Sequence, residues 1–202
     1  MRMRLSKNST KVFATTSTLL LAALSAFSVL GVGCSDSKPA TAKVAIESFL
    51  GPGTEQDVNT SNKCLLRSEA WATIGNPDNT TVEDGTAIDT SQVAVTCTVR
   101  PDGDGFYVDA KAEIQGRKGF SVFGHFTQKG DQKVGAAWSD PSTGVFRQED
   151  CVAKYDHAPQ NVEKGRVWAQ VTCPHAVYVT SGSTERICQG TSEFRFENCT
   201  PE

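Results

Sequence analysis

The residues best suited to chemistry are few and scattered. Histidine occurs three times, at His125, His157 and His175. Asp109 and His125 fall on neighbouring runs of alternating apolar and polar residues. A register that matches both apolar faces sets Asp109 beside His125, as a carboxylate orients a base in a hydrolase triad. No Gly-x-Ser-x-Gly elbow occurs to supply the nucleophile. The pair therefore reads as an exposed cross-strand contact, of a kind that contributes about 0.2–1 kcal/mol to a sheet. Asp102 and Asp104 alternate with glycine as in a calcium loop, yet Phe106 and Tyr107 stand where an EF-hand needs a third oxygen ligand and a glycine. Turn chemistry accounts for that segment, and Asp78, Glu83 and Asp84 read as a solvated acidic loop. His157 and His175 form no ligand pattern with the cysteines, and no two cysteines have zinc-knuckle spacing. No metal site, cofactor or catalytic residue is expected.

Three aromatic residues, Tyr107, Phe123 and Trp168, fall on the polar faces of alternating runs. There they form either a platform for sugar rings or a partner protein, or a surface covered by further chain, and the covered arrangement is the commoner. Trp71 and Trp138 read as core. The chain has no glycine-rich phosphate loop, paired-carboxylate motif or histidine-rich motif to support nucleotide, glycosidase or metalloenzyme chemistry.

The first 34 residues carry an address. Arg2, Arg4, Lys7 and Lys11 precede an apolar run that is densest from Leu19 to Leu30, the layout of a secretory signal. Thr15 to Thr18, Ser25 and Ser28 interrupt the run and set it apart from a membrane-spanning helix. Its ending, Leu30-Gly31-Val32-Gly33-Cys34, resembles the lipobox of bacterial lipoproteins, with Gly31 standing where leucine is usual. The resemblance implies cleavage before Cys34 and diacylation of its sulfur, palmitate included. Residues 1–33 are then a signal peptide, 34–41 a lipidated tether and 42–202 a single β-rich domain.

Loss of the leader's four basic residues leaves 16 Lys and Arg against 23 Asp and Glu, a formal charge of −7. Such a surface argues against nucleic acid as a partner and against a polybasic membrane patch. Assigning Cys34 to lipid leaves Cys64, Cys97, Cys151, Cys173, Cys188 and Cys199. This even set is suited to three disulfides in an oxidising compartment. Order along the chain suggests Cys64 with Cys97, Cys151 with Cys173, and Cys188 with Cys199.

The elements that position these residues are strands. Val93, Val95, Cys97 and Val99 alternate with polar or small residues, as do Phe106, Val108, Ala110, Ala112 and Ile114 after the Asp-Gly turn. Phe120, Val122, Gly124 and Phe126 form a third run. Face matching pairs Ala112 with Val122, Ala110 with Gly124 and Val108 with Phe126. Strands are also expected at Lys43–Leu50, Lys133–Ser139, Cys151–Tyr155, Arg166–Cys173 and Glu193–Cys199, with loops at Gly53–Asn62 and Gly75–Ser91. Short strands and Gly/Asp turns predict an all-β domain, an antiparallel β-sandwich or partly closed barrel stapled by disulfides.

With the cysteine-punctuated runs Arg166–Cys173 and Phe194–Cys199, the chain resembles small β-rich bacterial lipoproteins of uncharacterised function. That resemblance implies lipid attachment to the cell envelope, at the outer membrane or cell surface, and transfers no catalytic residue. The expected function is a non-catalytic binding or structural domain meeting an envelope protein or glycan. The rival is a lipid-tethered hydrolase or inhibitor domain, which His157 or His175 close to a serine and an aspartate would favour.

Overall fold

Antiparallel neighbours account for nearly the whole domain. A computed structural model describes residues 40–53, 63–67, 69–178 and 186–201. The leader and Cys34 lie outside the described residues, as does most of the expected 53–62 loop.

The strands are β1 (Lys43–Gly51), β2 (Glu69–Ile74), β3 (Val82–Glu83), β4 (Ala87–Ile88), β5 (Ser91–Asp102) and β6 (Gly105–Ile114). They continue with β7 (Gly119–Phe126), β8 (Gln132–Asp140), β9 (Gly144–Lys154), β10 (Asn161–Glu163), β11 (Arg166–Tyr178) and β12 (Arg186–Glu197). The sheet runs in the order β2-β1-β12-β11-β9-β8-β7-β6-β5-β4, with β10 on β11 and β3 on β1. It is a curled antiparallel half-barrel, within the expected class.

Two kinds of connection build it. From β4 to β9, each strand pairs with the next in sequence, through tight turns that glycine and aspartate make accessible. The β5–β6 hairpin closes over two residues, with Gly103 at φ 59° in the first central position, where a II′ turn uses glycine. At the β8–β9 turn the Asp140 carboxylate accepts the backbone N–H groups of Ser142 and Thr143 at 2.7 and 3.2 Å and the Ser142 hydroxyl at 2.5 Å. The hydroxyl donor above all holds the Asp140 pKa below the usual carboxylate value.

The other kind skips along the chain: β1 pairs with β12 from the far end of the described domain and β9 with β11 past β10, while β1–β2, β10–β11 and β11–β12 again join consecutive strands. Within the expected 75–91 loop, β3 pairs with β1, and the following turn clips onto β5. Gly85 N–H donates to the Val93 carbonyl at 2.8 Å, and Val93 N–H to Thr86 at 2.9 Å. Beyond β12, Thr200 exchanges backbone hydrogen bonds of 2.9 Å with Cys97 and Val99.

Inward side chains from far-apart strands meet in one core. Phe120 of β7 lies 5.5 Å from Trp138 of β8 and 5.6 Å from Phe194 of β12, centroid to centroid. β7 and β12 are not neighbours in the sheet, so the Phe120–Phe194 contact crosses the interior of the curl. Each fully buried aromatic stabilises the fold by about 1.5–3 kcal/mol relative to exposure. Trp71 and Trp138 are both buried, as expected. Gly190 of β12 makes room for Trp138, because a Cβ there would overlap the indole.

The cysteines form three disulfides, Cys64–Cys188, Cys97–Cys199 and Cys151–Cys173. Only Cys151–Cys173 keeps the partner suggested by chain order. Cys64 reaches Cys188 because Lys63 bridges Ile187 beside β12, and Cys97 reaches Cys199 because the chain after β12 runs along β5. Spatial adjacency, which sequence order does not report, sets the partners.

The β6–β7 register is also corrected. Ala112 faces Phe120, Ala110 faces Val122 and Val108 faces Gly124. This is a slip of two residues from expectation, which keeps every side chain on its face while tightening the turn. Asp109 thus sits opposite Phe123, and His125 opposite Tyr107.

Candidate functional site

Two surface regions gather side chains able to bind. The first is the outer face of β6–β9. Along its middle the outward residues are small: Ser121 of β7 and Gly135, Ala137 and Ser139 of β8. Longer side chains rise on either side, Asp109 and Lys111 from β6 and Arg147 from β9. A row of short residues between rows of long ones makes a groove, here of about 630 Å³.

Tyr107 and Phe123 form its aromatic part. They are diagonal neighbours on one face, since Asp109 pairs with Phe123 and Tyr107 with His125. Phe123 lies down over Gly135, where any Cβ would collide with its ring. The Arg147 guanidinium is 4.8 Å from the Phe123 centroid, and that of Arg100 is 5.1 Å from Tyr107. Both aromatics are partly exposed. The two wall cations are paired locally: Lys111 with Glu113 at 2.6 Å, and Arg147 with Glu149 at 2.6 Å. Beyond Arg117 and Pro141 the surface continues into a second hollow of about 420 Å³, where the Lys118 ammonium sits 4.5 Å from the Trp71 ring centre.

Trp168, expected on the same kind of face, does not join this groove. It belongs to β11 and is only 2% exposed. Its indole N–H donates to Glu193 Oε1 at 3.0 Å, and the Arg195 guanidinium packs 4.8 Å from its centroid. The His157 ring meets it edge-on at 5.7 Å. The loop between β9 and β10 covers the indole, so of the two expected arrangements Trp168 takes the covered one, while Tyr107 and Phe123 stay partly exposed beside the groove.

The expected Asp109–His125 contact is replaced. His125 Nε2 lies 2.9 Å from the Asp102 carbonyl and 3.5 Å from the Asp104 carboxylate, at the β5–β6 turn. The register slip moved it there.

The second region surrounds Trp168. Asp78, His157 and Glu193 bring one ligand-type atom each to within 4.8 Å of one another. His157 Nε2 is 3.0 Å from Asp78 Oδ1. Gln160, itself buried, donates its amide N–H to Glu193 Oε1 at 2.9 Å and accepts the Asp156 N–H at 2.6 Å. Asn76 holds the loop of Asp78 by accepting the Asp78 N–H at 3.0 Å, and the Pro77 carbonyl accepts from Arg195 at 3.3 Å. Sequence reading passed over this trio because its members lie on three separate segments. The alternation that placed Trp168 on an outer face was the only available pointer to it. Among the described residues, no serine hydroxyl bonds His157 or His175.

Comparison with protein-family models, with curated proteins and with solved structures finds no match.

Proposed function

We propose that the chain is an envelope lipoprotein, tethered through Cys34, whose domain acts as a non-catalytic binding module for an uncharged envelope glycan. The groove over β6–β9 carries the reading. Tyr107 and Phe123 offer rings for a pyranose face, the short side chains of Ser121, Ala137 and Ser139 leave room for it, and flanking carboxylates and guanidinium groups offer hydroxyl partners. Locally paired charges suit a neutral polar ligand better than a strongly charged one. The signal-like leader and the even set of disulfide cysteines support an oxidising location outside the cytoplasm.

Co-sedimentation with insoluble envelope polysaccharide tests the binding role. The purified protein is expected to pellet with it, and the Tyr107→Ala/Phe123→Ala variant to bind about tenfold more weakly, the loss that about 1.4 kcal/mol of ring contact represents. Equal retention of both proteins overturns the assignment. The tether is tested by fatty-acid labelling in cells, where Cys34→Ser should lose the label and release the domain. Undiminished labelling contradicts the lipid assignment.

A further inference from the structure

The region around Trp168 has a charge pattern that its hydrogen bonds leave uncompensated. Glu47 of β1 and Glu193 of β12 are directly paired across the two strands, so their side chains share the outer face. Like charges in that arrangement are destabilising unless something lies between them. Asp78 adds a third carboxylate, within 4.8 Å of Glu193. Among the described residues, no lysine or arginine forms an ion pair with Glu47, Glu193 or Asp78. The nearby guanidinium groups are committed elsewhere: Arg195 to Glu197 at 2.6 Å, and Arg166 to Glu163 at 2.9 Å. The neutral donors Trp168 and Gln160 orient the Glu193 carboxylate without neutralising it.

We propose that Asp78, His157 and Glu193 bind a divalent transition metal of the zinc class. One imidazole nitrogen and two carboxylate oxygens match the ligand preference of zinc, whose bonds to such atoms are about 2.0–2.2 Å. Asp78 and His157 are already 3.0 Å apart, so the pair needs to approach Glu193, from within 4.8 Å to about 3.3 Å, the edge of a zinc tetrahedron. Asp78 and His157 stand on exposed loops that permit this movement, and Glu193 is the fixed member. Trp168 and Gln160 supply the outer hydrogen bonds that typically orient a ligating carboxylate, leaving its second oxygen for the metal. The cation would pin two covering loops to β12, with a coordination position left for water or for a group from a partner. The site is independent of the groove over β6–β9.

Equilibrium dialysis of the purified full chain against zinc, in a Cys34→Ser background that removes the lipid-attachment residue, tests the assignment. One equivalent is expected, with a rise in melting temperature. Saturable binding should disappear in both His157→Ala and Asp78→Asn. Trp168→Phe keeps an aromatic side chain but loses the indole N–H, and should weaken binding about 10- to 100-fold. Absence of saturable binding in the parent, or undiminished binding in His157→Ala and Asp78→Asn, overturns the site. Unchanged affinity in Trp168→Phe overturns the orienting role of the indole.

Discussion

Phe123 on the β6–β9 face and Trp168 on the β11–β12 face begin from the same local pattern, an aromatic residue on the polar side of an alternating strand. Phe123 stays partly exposed beside a groove floored by small residues, whereas Trp168 is sealed by a loop and by the charged side chains around it. The difference follows from connectivity. β6 to β9 are joined by short turns that remain at the sheet ends, so among the described residues no segment crosses their outer face. β11 and β12 receive the 75–80 and 156–160 segments, anchored by the Arg195–Pro77 and Gln160–Glu193 hydrogen bonds. A strand's own residues decide which face a side chain takes, and the rest of the chain decides whether that face remains open.

The sharpest way to break this comparison is to cut the covalent ties of each region. In the chain-entropy account, Cys97–Cys199 spans 102 residues and Cys151–Cys173 spans 22. Removing the first should cost about 4–5 kcal/mol and the second about 3 kcal/mol. Urea unfolding of the two paired Cys→Ala variants checks this, and equal losses would show that long-range closure adds nothing special. Next in size, Trp168→Ala should cost about 3–5 kcal/mol as a buried aromatic. Phe123→Ala should cost only about 1 kcal/mol, because its ring is already partly exposed. Thermal melts of both variants measure the contrast directly, and similar losses would erase the distinction between a covered and an open face.

A smaller effect is expected where the regions join. The Tyr155 hydroxyl, just after β9, donates to the Thr127 carbonyl at the end of β7 at 2.8 Å. Burial pushes its pKa well above the ordinary 10.0. Because the folded state holds the phenol neutral, its contribution is complete below the unfolded pKa of about 10 and is lost as pH rises from there through the folded value. Tyr155→Phe should cost about 1 kcal/mol at neutral pH and show a flatter stability profile above pH 10. Denaturant titrations at pH 8 and pH 11 read both terms, and parallel profiles would remove Tyr155 as the origin of the alkaline slope.

Legibility in the sequence followed the same divide. The β5, β6 and β7 runs were readable because Val, Ala and Phe alternate without interruption, although face matching left their register open to even-numbered slips. β12 was foreseen only from Glu193, while the strand begins at Arg186. Its inward residues before Phe194 are Cys188, Gly190 and Ser192, which show no apolar alternation even though Gly190 lies under Trp138 and is essential to the packing. β11 was expected to stop at Cys173, where a bulge opposite β12 breaks the period before the strand continues to Tyr178. The trio of Asp78, His157 and Glu193 had no local signature at all, because only the tertiary pairing of β12 with the covering loops assembles it.

The central claim, that the open face of β6–β9 is where this domain meets its partner, is tested most directly by NMR titration of the isotope-labelled protein with soluble fragments of envelope polysaccharide. Shifts are expected to concentrate on Tyr107, Ser121, Phe123, Ala137 and Arg147, with Trp168 and its covering loops unmoved. Shifts centred on Trp168 and His157, or none at saturating glycan, would contradict the account.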